Sequence, residues 1–240
     1  MLMHGRVGWW YATHPPQQEA AGKVHIDPLV RRPAGIAPVA SEGVDLGIIG
    51  VGGGTGLGGL VYDHTCAAVM LDEPQMVVYA CRASLLITAD SIAEDEALDI
   101  VTGVAGVIPA SLALLRVLTH PEKWFSTPQM TVLRTHMADA GLSVLGVAAH
   151  LRQQMVAAGE RLLATAKPVP VYLEGDTQTT GLVWDPKYMW TRGPPLTGFS
   201  HGQAGISFAL ATLYSVVPDV RYRDACVKSI AYEDQFFSKA

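Results

Sequence analysis

The sequence predicts an all-α fold, built from helical hairpins of the kind that close into an α/α toroid. Three observations carry that expectation. A short motif, [Thr/His]-Gly-x-[Gly/Ala]-Gly-apolar, starts at Thr55, Thr102 and His201, and each copy opens a largely apolar run. The starts are separated by close to one and two units of a common period, which is the mark of stacked supersecondary units. Between them, residues 76–87, 130–166 and 222–237 place apolar side chains at helical spacing beside polar faces.

Each unit therefore reads as a glycine-opened inner helix, buried all round, followed by a more polar outer helix. Inner helices are expected over residues 58–70, 104–118 and 204–216, with their N-terminal ends converging on one face. Residues 1–45 read differently: Pro15-Pro16, Pro28, Pro33 and Pro38 exclude a long helix, and no alternating strand pattern emerges. The expected organisation is an irregular segment over 1–45 and one helical domain over 46–240. Residues 167–191 are loop-rich, with a short β-hairpin expected at 174–180. That stretch is a candidate lid or a solvent-facing connection.

Composition narrows the function. A chain of 240 residues can bury a real core, and 49% apolar against 16% charged residues argues against disorder. The net charge of −5 comes without a basic stripe, which excludes nucleic acid as an expected partner. Cys66, Cys81 and Cys226 are far apart, odd in number and outside any C-x-x-C pair, so free buried thiols and a cytoplasmic location are expected. No signal peptide is visible at the start of the sequence. The uncharged run at 100–115 is too short for a membrane span and contains Gly103, Gly106 and Pro109, so no transmembrane segment is expected.

The most informative stretch is Pro195-Leu-Thr-Gly-Phe-Ser-His-Gly-Gln-Ala-Gly-Ile206. It sets His201 at the mouth of a helix, where unpaired N–H groups and partial positive charge suit anions and an uncharged imidazole. His201 is a candidate acid/base group on that ground. Gly198-x-Ser200-x-Gly202 also fits the nucleophile elbow of a serine hydrolase, but no histidine follows His201, as that chain order requires. Gly54-x-Gly56-x-x-Gly59 fits a dinucleotide fingerprint if residues 48–51 form a strand. The acid expected some way on is only loosely supplied by Asp72 or Glu73, and no Walker lysine is present.

In this order and spacing, three stretches make the chain resemble the cyclase domain of lanthionine synthetases, particularly the bifunctional class II enzymes. They are Gly56-Leu-Gly-Gly-Leu-Val-Tyr62, Leu98-Asp-Ile-Val-Thr-Gly-Val-Ala-Gly-Val107 and the Pro195 to Ile206 stretch. Gly159-Glu-Arg-Leu-Leu163, Tyr222-Arg-Asp-Ala and Ala231-Tyr-Glu-Asp resemble that family's outer helices. The resemblance covers residues 48–240 and implies a LanC-like α/α toroid. It also implies a reaction in which a cysteine thiol adds to dehydroalanine or dehydrobutyrine in a precursor peptide. Its catalytic Asp and His match Asp99 and His201, whereas Asp99 by itself would be an N-cap.

The resemblance further implies zinc in the complete enzyme, held by two Cys and one His in Cys-x-Gly and Cys-His-Gly motifs. Cys66, Cys81 and Cys226 do not match those positions. The expectation is a partial cyclase domain with no zinc of its own and no activity in isolation. Two other readings stay open: a non-catalytic peptide-binding or scaffolding relative, and a toroidal glycosidase, which needs a second carboxylate opposite Asp99.

Overall fold

The computed structural model describes residues 49–172, 178–185 and 194–236. These all lie within one compact unit spanning Asp45–Ala240. The first inner helix, α1 (Leu57–Met70), turns back at Leu71 into α2 (Gln75–Leu85), its outer partner. A short α3 (Ala89–Ala93) follows, started by the reciprocal bonds of Thr88 and Ser91. A 3₁₀ turn (Val104–Gly106) then feeds α4 (Val107–Thr119), the second inner helix. Pro109 falls in its first turn, where its missing N–H has no intrahelical partner to lose.

A second 3₁₀ turn (Pro121–Lys123) leads to α5 (Thr127–Asp139), and α6 (Val144–Thr165) follows. The long amphipathic stretch at 130–166 is thus two helices rather than one. Gly141 takes a left-handed φ of 66° between them, and Ser143 accepts the Gly146 N–H at 3.3 Å to start the next. The division lets α5 lie against α2 while α6 pairs with α4.

The hairpin is longer than the sequence suggested. Strands β1 (Lys167–Tyr172) and β2 (Gln178–Val183) pair antiparallel in the register Lys167↔Val183, and residues 174–177 of the hairpin expected at 174–180 lie outside the described ones. Pro168 and Pro170 are tolerated because, among the described residues, β2 is the only strand beside β1, so the other edge of β1 donates to no ladder there. The third inner helix, α7 (Gln203–Tyr214), and its outer partner α8 (Val220–Asp234) complete the described chain. Asp219 caps α8 through the Arg221 N–H at 2.9 Å.

The three glycine-opened helices fall where the repeats put them, and α4 touches both α1 and α7. Their shared interior includes the fully buried Val61, Ile108, Leu114, Ile206 and Leu210. Full burial of each such side chain contributes about 1.5–3 kcal/mol. Residues 49–51 form no strand, and the only sheet among the described residues is the β1–β2 pair. The dinucleotide-binding alternative loses the parallel sheet it requires.

Outer helix α6 ties the hairpins together. Glu160 takes the Arg221 guanidinium through two bonds of 2.7 and 3.1 Å and the Tyr222 hydroxyl at 2.9 Å. The Tyr222 hydroxyl is pushed above the usual phenol value, first by burial and then by Glu160. No helix among the described residues is long and apolar enough to cross a membrane.

Candidate active site

The glycine motifs pack backbone against backbone. Gly53 and Gly54 donate to the Ile100 and Val101 carbonyls at 3.0 and 2.8 Å. A Cβ on Gly106 would collide with Gly53 N, and one on Gly103 with the Leu98 and Asp99 nitrogens. Close approach is what these glycines provide. It folds residues 95–104 into a tight loop in which Leu98 takes a left-handed φ of 61°. Asp95 Oδ2 holds that loop by accepting the N–H groups of Leu98 (2.8 Å) and Val104 (3.0 Å). Arg161 of α6 grips the Asp95 carbonyl at 3.1 and 2.6 Å.

Inside this loop Asp99 is completely buried. Its Oδ1 accepts the N–H groups of Val101 (2.9 Å), Thr102 (2.7 Å) and Gly103 (3.3 Å), and the Thr102 hydroxyl lies 3.1 Å from both oxygens. Its Oδ2 meets His201 Nδ1 at 2.8 Å. The capping role and the imidazole contact therefore coexist on one carboxylate. A carboxylate only accepts, so Nδ1 donates and the ring's lone pair is at Nε2. The His201 side chain is 40% exposed, so a reagent can reach a ring whose partner is sealed in protein.

Four further residues, three of them outside the glycine motifs, hold the His201 loop in place. Glu233 of α8, only 6% exposed, accepts the Gly198 N–H at 2.9 Å and the Ala204 N–H at 2.8 Å through a single oxygen. It thereby supplies the acceptor that Gly202, the N-cap of α7, lacks. Tyr232 donates its hydroxyl to the Pro195 carbonyl at 3.0 Å. Gln203 donates to the carbonyls of Trp184 and Leu196 and accepts the Trp184 N–H at 2.8 Å. Trp184 in turn is fixed by its indole N–H on the Leu162 carbonyl at 2.7 Å. These positioning groups escaped the sequence reading, although Glu233 carried a signal. It continues the buried face Tyr222, Ala225, Ser229 and Tyr232, where a charge must find partners.

Zinc is the group that the resemblance implies, and the described residues do not fit it. Among them no group of three or more His, Cys, Asp and Glu is placed to hold a metal ion. Burial pushes the Cys81 thiol up to about 12 and raises those of Cys66 and Cys226, the reverse of what a metal thiolate needs.

The described residues thus form helical hairpins whose glycine-opened mouths bring a buried carboxylate onto an accessible imidazole. The family model of the lanthionine synthetase C-like protein matches residues 35–240, and the chain belongs to that family. The family is generally zinc-dependent and binds peptide substrates. No curated protein and no solved structure matches the chain.

Proposed function

We propose that this chain supplies the acid–base pair of a lanthionine-forming cyclase of the class II type, acting in the cytoplasm on a dehydrated precursor peptide. The observation that supports this most is the 2.8 Å contact of Asp99 and His201, which orients an accessible imidazole from a fully buried carboxylate. In the reaction a cysteine sulfur bonds to Cβ of dehydroalanine or dehydrobutyrine, and the Cα=Cβ π electrons move into the neighbouring carbonyl as an enolate. The thiol's proton must finally reach Cα. His201 takes a proton at Nε2 and returns it to Cα, while Asp99 holds Nδ1–H and balances the imidazolium charge. Zinc, where a family enzyme binds it, favours the thiolate.

The experiment supplies a zinc-bearing cyclase segment, fused to this chain or in trans, together with a dehydrated precursor peptide. Remaining thiols are alkylated and rings are read by mass spectrometry. Ring formation that drops about 100-fold or more in His201→Ala and in Asp99→Asn is the expected result. Equal rates in wild type and both variants, or peptide binding without rings in the wild type, would overturn the proposal. The second outcome would select a scaffolding role.

A further inference from the structure

The inner helices have a second end. Asp99 and His201 lie where α4 and α7 begin; where α4 closes, a cleft of about 400 Å³ opens between its last two turns, the turn at 120–124, α6 and Val216. The 13-residue α4 puts roughly 20 Å between the two ends. Leu112 and Leu115, both buried, form an apolar floor. Arg116, Lys123 and Arg152 line the same cleft, together with the indole of Trp124, which is 41% exposed.

These cations have no ion-pair partner among the described residues. Among the described residues Arg152 bonds to the Ala148 carbonyl of its own helix, at 3.4 Å. Glu122, the neighbouring acid, is 3.5 Å from His120. Arg116 stabilises the C-terminal end of α4, but a helix dipole uses only a fraction of one charge. Like charges converging on one cleft repel each other unless a counter-charge sits between them, so the cleft is better satisfied occupied than empty.

We propose that this cleft binds an acidic peptide segment, with one aliphatic or aromatic side chain on the Leu112–Leu115 floor and flanking Asp or Glu side chains on Arg116, Lys123 and Arg152. Both halves of the lining point to that ligand class. Inorganic phosphate would use the cations and leave the floor wet. A nucleic acid or an anionic membrane would bring a long polyanion against a chain whose net charge is −5. A short, locally acidic peptide avoids that repulsion. Carboxylates pair bidentately with Arg116 and Arg152, and Trp124 gives the bound backbone a flat apolar edge. The volume suits one or two peptide side chains.

Fluorescence anisotropy with a labelled Leu-Asp-Glu-Leu-Glu-Glu peptide tests this on the whole chain, with its Asn/Gln counterpart as the uncharged control. The acidic peptide is expected to bind about tenfold or more tightly than the control, and to weaken as salt rises from about 50 to about 300 mM. The double variant Arg116→Gln/Arg152→Gln should lose that preference while retaining the wild-type circular dichroism spectrum. Trp124→Ala, at an exposed position, provides a second variant if the first fails to fold, and should weaken the peptide without abolishing its salt dependence. His201→Ala should bind as wild type does, which separates this site from the proton pair. Equal binding of acidic and neutral peptides, or displacement of the peptide by inorganic phosphate at comparable concentration, would overturn the proposal. So would unchanged affinity in the double variant.

Discussion

His201 Nδ1 and Asp99 Oδ2 meet at 2.8 Å across 102 residues of sequence, joining two glycine loops at the mouths of adjacent inner helices. The contact fixes the imidazole tautomer, because the carboxylate has nothing to donate. Asp99→Asn changes that logic while keeping the loop. Its amide oxygen can still accept from Val101 and Thr102, which turns the NH₂ toward His201 Nδ1. The ring must then carry its proton on Nε2. Nitrogen NMR of the imidazole is expected to show Nδ1–H in the wild type and Nε2–H in the variant, and proton-transfer activity should fall by about 100-fold or more. The same tautomer in both proteins would mean that Asp99 does not orient the ring.

Glu233 holds the loop around His201 by a single oxygen shared between Gly198 and Ala204. Glu233→Ala leaves two N–H groups without that acceptor, at a cost of about 2–4 kcal/mol. For a domain of this size Tm should fall by about 5–10 °C. Glu233→Gln keeps an acceptor and loses only the charge assistance, so its loss should be about 1 kcal/mol. Thermal melts of the three proteins give the order. A Gln variant as unstable as the Ala variant would show that the negative charge itself, rather than the acceptor, holds the loop.

Much of this was legible in the chain because glycine leaves a strong imprint. The motifs at Thr55, Thr102 and His201 are forced to be glycine-rich by backbone-to-backbone packing, so the inner helices and the two mouths that hold Asp99 and His201 could be read directly. The break at Gly141 was present in the sequence too, as a glycine two residues ahead of the Ser143 cap, but the apolar periodicity on either side masked it. The strand over 167–172 was hidden by Pro168 and Pro170, which sheets accept at an edge. Gln203, Tyr232 and Glu233 act through partners distant in sequence, and helical periodicity cannot say which loop a buried polar group will meet.

Asp95 is expected to make stability depend on pH. Its carboxyl is raised above the ordinary carboxylate value, first by burial, against the N–H groups of Leu98 and Val104 that lower it. A carboxyl that binds its proton more tightly when folded favours the fold at low pH. That contribution is lost as pH rises from the ordinary value through the raised one. Asp95→Asn retains an acceptor for both N–H groups and cannot ionise. Its stability relative to wild type should therefore rise across that window, measured by urea denaturation at successive pH values. A relative stability that falls as pH rises would show that the two N–H bonds outweigh burial.

Two glycines should respond to alanine in opposite directions. Gly205 lies in the first turn of α7, and a Cβ there would coincide with the Phe199 carbonyl oxygen and lie 3.3 Å from Ile100 Cγ2. The Phe199 carbonyl is backbone of the His201 loop, so relief requires moving the loop itself. Gly205→Ala should cost about 2–4 kcal/mol and displace the His201 ring signals in the NMR spectrum. Gly146 lies in the first turn of α6, where the nearest atom a Cβ would meet is Ser143 Cβ at 3.5 Å, an ordinary contact. Alanine there reduces the freedom of the unfolded chain and keeps the N–H that Ser143 accepts, so Gly146→Ala should stabilise by about 0.5–1 kcal/mol. Denaturant midpoints for both variants decide the matter. A neutral Gly205→Ala would mean that the His201 loop can shift without cost, and the close approach of α7 to that loop would then not be what holds the imidazole on Asp99.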